Sequence, residues 1–217
     1  MGVTEGITEP RAGTRRGRPP VSEERRRAQR LEISRHAVRL FRAQGVAATS
    51  GEEIARAAGV SERTLWRSFR SKESCVEPLL SQSLEAFQAV LGTWPPGVAL
   101  ADHLRDEYTV VPEDSWADLD AALAVVRLTR DEPALRAVWL VLHERAEPAI
   151  AAALAGRFGL AADSLEVRAR AAVVNAALRV ATDELARAAA EEGVGVVHRY
   201  RGRVAEVLRL VDRPDVR

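Results

Sequence analysis

Apolar residues recur at helical spacing along almost the whole chain, and this periodicity constrains the fold more than any other feature of the sequence. The longest repeats step by 4, 3, 4, 3, 4 over residues 167–185 and by 3, 4, 3, 4 over residues 197–211. Such steps place the apolar residues on one face of an α-helix. No segment alternates convincingly between apolar and polar residues as a half-buried strand does, and no Asn-Gly or Asp-Gly hairpin turn occurs. The sequence therefore predicts an all-α fold.

The composition fits a globular chain and excludes several other classes of protein. Hydrophobic residues make up 47% of the 217 residues, enough for a sizeable core. The longest unbroken apolar run, 149–155, is far shorter than the ~18 residues of a transmembrane helix. Cys75 is the single cysteine, which excludes an intramolecular disulfide and a multi-cysteine metal site. We expect a cytoplasmic chain with no membrane partner, no cofactor and no metal.

The net charge of +1 conceals an uneven distribution of charge. Residues 11–72 contain sixteen basic and six acidic residues, whereas residues 73–217 contain sixteen basic and twenty-three acidic ones. A basic first third joined to an acidic remainder indicates a nucleic-acid-binding module attached to a second unit. The alternative is a surface whose charges are merely unevenly distributed.

Residues 50–69 have the layout of two short helices separated by a turn. Ser50 and Glu53 have the spacing of a capping box, Gly59 interrupts the first helix, and Ser61 caps the next one. This arrangement is that of a helix-turn-helix, whose second helix enters the major groove of DNA. Two short helices around a glycine also occur in all-α proteins that bind no DNA.

The second of these helices is predicted to have two opposite faces. Leu65 and Phe69 lie one turn apart on the apolar face. The opposite face is predicted to carry a continuous stripe of arginines, Arg63, Arg67 and Arg70. Guanidinium groups bind both phosphate oxygens and the acceptor edge of guanine, so this stripe favours DNA binding.

Three runs of residues in this region stand at fixed spacing: Ile54-Ala55-Arg56-Ala57-Ala58-Gly59-Val60-Ser61, Thr64-Leu65-Trp66-Arg67-Ser68-Phe69 and Ser71-Lys72-Glu73. They resemble the DNA-binding domain of TetR-family transcriptional regulators, whose pattern is roughly I-A-x-x-A-G-V-S-x-x-T-L-Y-x-x-F-x-S-K-E. The preceding helix also matches the family pattern A-x-x-L-F-x-x-x-G. The resemblance covers about residues 30–75.

The resemblance implies a set of DNA contacts. Ser50 would face a phosphate at the start of the second helix, and Thr64 and Lys72 would contact the DNA backbone. Glu62, Arg63 and Arg67 would reach bases or nearby phosphates. The residues expected to contact DNA in this domain are Ser50, Ser61, Glu62, Arg63, Thr64, Trp66, Arg67 and Lys72.

Three residues depart from the family pattern. Trp66 replaces the usual tyrosine and keeps an N–H donor that can reach a phosphate. Gly51 stands where a β-branched residue is common, so we expect the second helix to fray. Cys75 replaces a customary leucine and is expected to act as a small buried apolar residue rather than a redox group.

The first 21 residues are rich in Gly, Pro, Thr and Arg and are expected to be disordered in isolation. Within them, Arg16-Gly17-Arg18-Pro19 resembles the core of an AT-hook. Arginines of this type enter the narrow, strongly negative minor groove of A·T-rich DNA. Arg16 and Arg18 are therefore candidate DNA contacts, and the alternative is a basic tail that adds only non-specific affinity.

The chain thus divides into a basic arm (1–21), a helix-turn-helix domain (22–72) and a helical domain (73–217), which the resemblance assigns to ligand binding and dimerisation. No phosphate loop, nucleophile elbow or metal-binding His pattern is present, so we expect no enzyme activity. Polar residues on otherwise apolar helices are the best indication of a pocket. The candidates are Trp139, His143, Asn175 and Arg179. Each is alternatively an ordinary core or surface residue.

The last two predicted helices carry a second apolar stripe beside their main seams. This stripe includes Ala172, Ala176 and Leu208. A second stripe needs a second partner, which a two-fold symmetric homodimer supplies, and the resemblance implies an interface formed by the last two helices. The alternative is that these residues face the internal core.

These observations favour a sequence-specific DNA-binding regulator, a dimeric repressor that a small-molecule effector releases from a double-stranded operator. An activator, or a regulator that responds to a protein partner, is the alternative. An enzyme built on a helical bundle is a distant third, because no convergent set of titratable groups is visible.

Overall fold

The computed structural model describes residues 22–108, 116–193, 196, 202 and 204–209. Every regular element in that part of the chain is helical, so the predicted all-α fold is confirmed. Arg16 and Arg18 lie outside the described residues, together with the rest of the N-terminal arm and much of the last predicted helix.

The helices follow one another along the described chain in a simple order. They are α1 (Glu23–Gln44), α2 (Gly51–Ala57), α3 (Glu62–Ser68), a short 3-10 helix (Glu73–Val76), α4 (Glu77–Gly92), α5 (Leu100–Glu107), α6 (Trp116–Leu128), α7 (Pro133–Phe158) and α8 (Leu165–Glu192). Residues 204–209 are also helical.

Serine side chains fix the beginnings of four of these helices. Ser22, Ser50, Ser61 and Ser164 each accept a hydrogen bond from the backbone N–H three residues later, at 3.2 to 3.3 Å. Each bond satisfies one of the N–H groups that a helix leaves unpaired at its N-terminus. The predicted caps at Ser22, Ser50 and Ser61 are confirmed.

The buried apolar residues form one cluster that extends from α1 to α8. On α8 the predicted seam is buried at every position, which comprises Val167, Ala171, Val174, Leu178, Ala181 and Leu185. Helix α8 packs along α7 and α6, whereas α1 packs on α4 and α6. Helix α6 therefore contacts the helix-turn-helix domain on one side and the larger helical body on the other. The boundary between 22–72 and 73–217 stays a prediction, since the core is continuous across it.

Candidate DNA-binding interface and effector cavity

Helix α3 presents its polar side chains to solvent, as a recognition helix does. Leu65 and Phe69 are buried, whereas Glu62, Arg63 and Arg67 are exposed. Within the described residues, none of these three charged side chains has a hydrogen bond or an ion pair, although most other arginines there do. Their charges are therefore free to bind an external partner.

The predicted stripe of three arginines is wrong at its last position. Helix α3 ends at Ser68, and Phe69 adopts an extended conformation with φ −139° and ψ 145°. Arg70 follows this extended residue, so it does not continue the helical face that Arg63 and Arg67 share.

Arg30 on α1 holds the C-terminal end of α3 in place. Its Nη1 donates to the backbone carbonyl of Ser68, and its guanidinium lies 4.5 Å from the centre of the Phe69 ring. A carbonyl at a helix C-terminus and an aromatic face both attract a cation. Sequence reasoning counted Arg30 only as part of the basic charge, because the contact joins residues 38 positions apart.

The hydroxyls predicted to contact DNA also cap their own helices. Ser50 and Glu53 form a complete capping box, with the Ser50 N–H donating to Glu53 Oε2 at 2.8 Å. The hydrogen bonds from Ser50 lower the pKa of Glu53 below its usual value. Ser61 Oγ lies 2.9 Å from Thr64 Oγ1. Contacts from Ser50, Ser61 and Thr64 to phosphate stay a prediction.

Trp66 lies directly against the backbone of Gly51. A methyl group on the Cα of Gly51 would come within 2.1 Å of Trp66 Cζ2 and 2.5 Å of Cη2. The indole thus occupies the space that a side chain at position 51 requires, while 44% of Trp66 stays exposed. The two departures from the family pattern therefore compensate each other. Gly51, expected to fray α2, begins a turn that is capped by Ser50 and covered by Trp66.

Because of this contact, we expect Gly51→Ala to destabilise the protein, although the same change stabilises most helices. In a helix, alanine is more favourable than glycine by roughly 0.5–1 kcal/mol, but here the added methyl displaces the indole. We expect the free energy of unfolding to fall by about 1–3 kcal/mol and the operator affinity to fall with it. In a Trp66→Ala background the same change should stabilise the protein. Urea unfolding of the four proteins measures the coupling, and additive effects would contradict it.

Lys72 binds the protein's own backbone. Its Nζ donates to the carbonyl oxygens of Val46 at 2.6 Å, Thr49 at 2.8 Å and Ala47 at 3.4 Å. All three N–H donors of the ammonium are therefore used to hold the turn between α1 and α2. Lys72 is also the only lysine in the chain. A compact ammonium suits three converging carbonyls, whereas a planar guanidinium does not.

Stability and operator binding of the Lys72→Arg and Lys72→Ala variants distinguish the predicted phosphate contact from this internal role. If Lys72 holds the turn, arginine keeps the charge but loses the geometry, and both Lys72→Arg and Lys72→Ala should lower the free energy of unfolding by about 1–3 kcal/mol. The salt dependence of operator binding by Lys72→Arg should match that of the wild type. Full stability of both variants, with weaker and less salt-dependent binding only for Lys72→Ala, would favour the phosphate contact instead.

Three of the four predicted ligand residues meet in the core between α7 and α8. The rings of Trp139 and His143 stand edge to face with centroids 4.1 Å apart, and His143 Nδ1 lies 2.7 Å from Asn175 Oδ1. All three residues are buried. Burial lowers the pKa of His143 below its usual value, so its imidazole is neutral at pH 7.

A small, largely enclosed cavity adjoins Trp139 between α4, α6, α7 and α8. Its volume is about 10 Å³, which is about the space of one water molecule. It is lined by Leu79, Leu80, Ser83, Leu119, Ala122, Leu123, Val126, Trp139, Thr182 and Leu185. Of the four predicted ligand residues, Trp139 lines this cavity, whereas His143, Asn175 and Arg179 do not. Arg179 Nη1 lies 3.9 Å from Asp183 Oδ2.

Comparison with known proteins agrees with this geometry. Residues 33–79 match the family model of bacterial regulatory proteins of the tetR family, and residues 94–209 match the MftR C-terminal domain. The HTH-type transcriptional regulator TcmR of Streptomyces glaucescens is 34% identical over 151 residues, which cover 67% of each chain. The chain belongs to the TetR family of transcriptional regulators.

Solved structures of other proteins share the fold. Salmonella enterica GusR aligns with a TM-score of 0.52 and 21% identity, covering 87% of this chain and 98% of that one. Thermus thermophilus FadR, a TetR-family repressor solved in complex with lauroyl-CoA, aligns with a TM-score of 0.50, 22% identity and the same coverage. At these identities the likeness concerns the fold alone.

As a TetR-family regulator, the protein carries its DNA-binding helix-turn-helix in the N-terminal domain. Within the part of the chain that the structure describes, no group of His, Cys, Asp and Glu is placed to hold a metal ion. No helix there is long and apolar enough to span a membrane. Burial raises the pKa of Cys75 to about 12, so this thiol stays protonated.

The predicted dimer residues separate into two groups in this TetR-family fold. Ala172 and Ala176 are exposed on α8, beside Val173 and Val180, which are 43% and 46% exposed. Leu208 is only 3% exposed and belongs to the core of its own chain. Its assignment to an interface between subunits is therefore wrong, because the 3-4 spacing marks a buried face without saying which partner covers it.

Proposed function

We propose that the protein is a homodimeric transcriptional repressor that leaves its operator when a small molecule binds between α4, α6, α7 and α8. The single observation that supports this proposal most is the largely enclosed apolar cavity at Trp139, a buried side chain whose Nε1 has no hydrogen-bond partner in the part of the chain that the structure describes. A largely apolar pocket with a few polar groups is the usual form of a small-molecule site.

Helix α6 connects this cavity to the DNA-binding domain. Leu119 lines the cavity, and the neighbouring Asp118 accepts two hydrogen bonds from Arg35 on α1, from Nε and Nη2, both at 2.7 Å. Asp120 accepts a third from Arg42 at 2.6 Å. A molecule that expands the cavity displaces Leu119, and the paired charges transmit that displacement to α1 and hence to α3.

The effector controls binding through the spacing of two recognition helices. Each half of a dimeric site lies ~34–36 Å from the other, one turn of DNA. A ligand that binds more tightly when the cavity is open shifts the equilibrium towards the open state. The size of that shift is set by the difference between its affinities for the two states. In this proposal the ligand-free state spaces the two α3 helices for DNA, and the open state does not.

The proposed DNA contacts are Arg63 and Arg67 to base edges or phosphates, Glu62, Thr64 and Trp66 around them, and the hydroxyls of Ser50 and Ser61 to phosphates. Arg16 and Arg18 of the N-terminal arm are proposed minor-groove contacts. For these roles, we propose that the protein acts in the cytoplasm, where the chromosome lies.

Mapping the protein's binding sites on chromosomal DNA tests the proposal most directly. We expect pseudo-palindromic sites that overlap promoters near its own gene, and higher transcription from those promoters when the gene is deleted. Lower transcription in the deletion strain would show that the protein is an activator.

The link between α6 and α1 can be tested by Asp118→Asn. Arg35 lowers the pKa of Asp118 by hydrogen bonding and charge, while Asp118 is 8% and Arg35 42% exposed. Because the exposed arginine is partly screened, we expect a loss of only about 1–2 kcal/mol in unfolding free energy at pH 7.

The pH dependence of that loss has a definite sign. The pKa of Asp118 is lower in the folded protein than the value of about 3.9 in the unfolded chain. Its ionised form therefore stabilises the fold when the pH is above about 3.9, and this stabilisation is lost as the pH falls through the pKa of the folded state. The difference between wild type and Asp118→Asn in urea unfolding should therefore shrink below about pH 4. Asp120→Asn is the matched control, because the Arg42–Asp120 pair is exposed on both sides and should contribute only about 0.3 kcal/mol. Equal losses for both variants would contradict the special role of Asp118.

A further inference from the structure

As far as the described residues form it, the wall of the cavity at Trp139 carries no charged side chain. Its lining consists of aliphatic groups, two hydroxyl-bearing residues, Ser83 and Thr182, and the indole of Trp139. An ion moved into such surroundings loses its hydration and gains no opposite charge, which is strongly unfavourable. The cavity therefore selects an uncharged molecule.

Trp139 offers this molecule a hydrogen-bond donor. The residue is 1% exposed, and its Nε1 has no hydrogen-bond partner among the described residues. An indole N–H donates and cannot accept. A buried donor without a partner destabilises the ligand-free state, because it has lost its hydrogen bonds to water. A ligand acceptor such as a carbonyl oxygen restores a hydrogen bond and removes this destabilisation.

His143 offers an acceptor, because its hydrogen bonds fix the position of its proton. Asn175 Nδ2 donates to the backbone carbonyl of His143 at 2.9 Å and to Glu147 Oε1 at 3.0 Å, so the amide oxygen faces His143. At 2.7 Å from that oxygen, His143 Nδ1 must carry the proton. The Nε2 of the neutral ring is then an acceptor, and it too is buried without a partner in the described chain.

The two unpaired atoms belong to rings that touch each other, with centroids 4.1 Å apart. We propose that the effector is an uncharged, mainly apolar molecule that presents a carbonyl oxygen to Trp139 Nε1 and a hydroxyl group to His143 Nε2. This assignment rests on the proposed effector site and adds the chemical class of its ligand. The cavity holds only about 10 Å³ and His143 is not part of its wall, although its ring touches that of Trp139. The molecule therefore binds by widening the cavity as far as His143, which favours the open state of the regulator.

The first test is the protonation state of His143 in the ligand-free full-length protein. Nitrogen-15 NMR of histidine-labelled protein separates protonated from unprotonated ring nitrogens, and His143→Phe assigns the signal among the four histidines. At pH 7 we expect a protonated Nδ1 and an unprotonated Nε2. A protonated Nε2 overturns the proposal without touching the DNA-binding role.

The second test uses four matched probes in calorimetry. para-Hydroxymethylbenzophenone carries a ketone and a hydroxyl, benzophenone lacks the hydroxyl, para-benzylbenzyl alcohol lacks the ketone, and para-benzoylbenzoate replaces the hydroxyl by a charge. We expect para-hydroxymethylbenzophenone, the hydroxyketone, to bind about tenfold more tightly than either neutral analogue, because each analogue loses one hydrogen bond. The carboxylate, para-benzoylbenzoate, should bind most weakly.

Two variants connect these preferences to the two residues. Trp139→Phe should abolish the preference for the ketone and retain that for the hydroxyl, and His143→Phe should do the reverse. Tight binding of the carboxylate, an unchanged order of preference in both variants, or no binding of any probe to the wild type up to millimolar concentration overturns the proposal. Operator titrations of the same samples keep the proposed function separate. If the hydroxyketone binds but leaves operator affinity unchanged, the ligand chemistry stands and the release mechanism fails.

Discussion

The double variant Arg63→Ala/Arg67→Ala is expected to lose specific operator binding while staying folded. Both side chains are exposed on α3 and have no intramolecular ion pair in the described residues, so their removal leaves the core intact. Each guanidinium that binds a guanine edge contributes about 1–3 kcal/mol, so the double variant should bind about 30-fold to 20,000-fold more weakly.

Titration of operator and scrambled DNA at several salt concentrations measures this loss. Each single variant should relax specificity at particular base positions, whereas a loss that is equal for all sequences indicates phosphate contacts. Arg105→Ala/Arg130→Ala removes the same charge from α5 and from the exposed turn after α6 and serves as the control. Full operator affinity of the Arg63/Arg67 variant would show that α3 is not the recognition helix.

The second large effect is expected for Ala176→Arg on the exposed face of α8. Ala172, Val173, Ala176 and Val180 form an apolar stripe on this face. Beside it, an open groove of about 670 Å³ runs between α7 and α8, and its lining combines small apolar residues with Glu144, Glu147, Asp163 and Arg168. We propose that a second copy of the chain covers this surface.

A charge buried in such an interface costs several kcal/mol. Ala176→Arg should therefore be a folded monomer in light scattering at micromolar concentration, and its operator affinity should fall at least about a hundredfold because each half-site then binds alone. Ala99→Arg, which adds the same charge at an exposed position before α5, should stay dimeric. A dimeric Ala176→Arg would place the interface elsewhere, and a monomeric wild type would remove the two-half-site mechanism. Leu208→Arg should instead unfold the protein, because Leu208 is buried in its own chain.

The sequence by itself determined the helices, their caps and the family of the chain. These features depend on residues three to eight positions apart, whose relative placement a helix fixes. Ser50 with Glu53, Leu65 with Phe69 and the long seam of α8 all follow from that local geometry. Trp139 and His143 come together for the same reason, because they lie one turn apart on α7, and their role in binding a ligand stays a prediction.

The tertiary structure alone decided what each face meets. Asn175 reaches His143 across 32 positions, Arg35 reaches Asp118 across 83, and Lys72 turns inward to carbonyls 23 to 26 positions earlier. Leu208 faces its own core although its spacing equally suits a subunit interface. An apolar period shows that a face is buried, but which partner buries it depends on how the helices pack, and that packing is set by shape and volume over the whole chain.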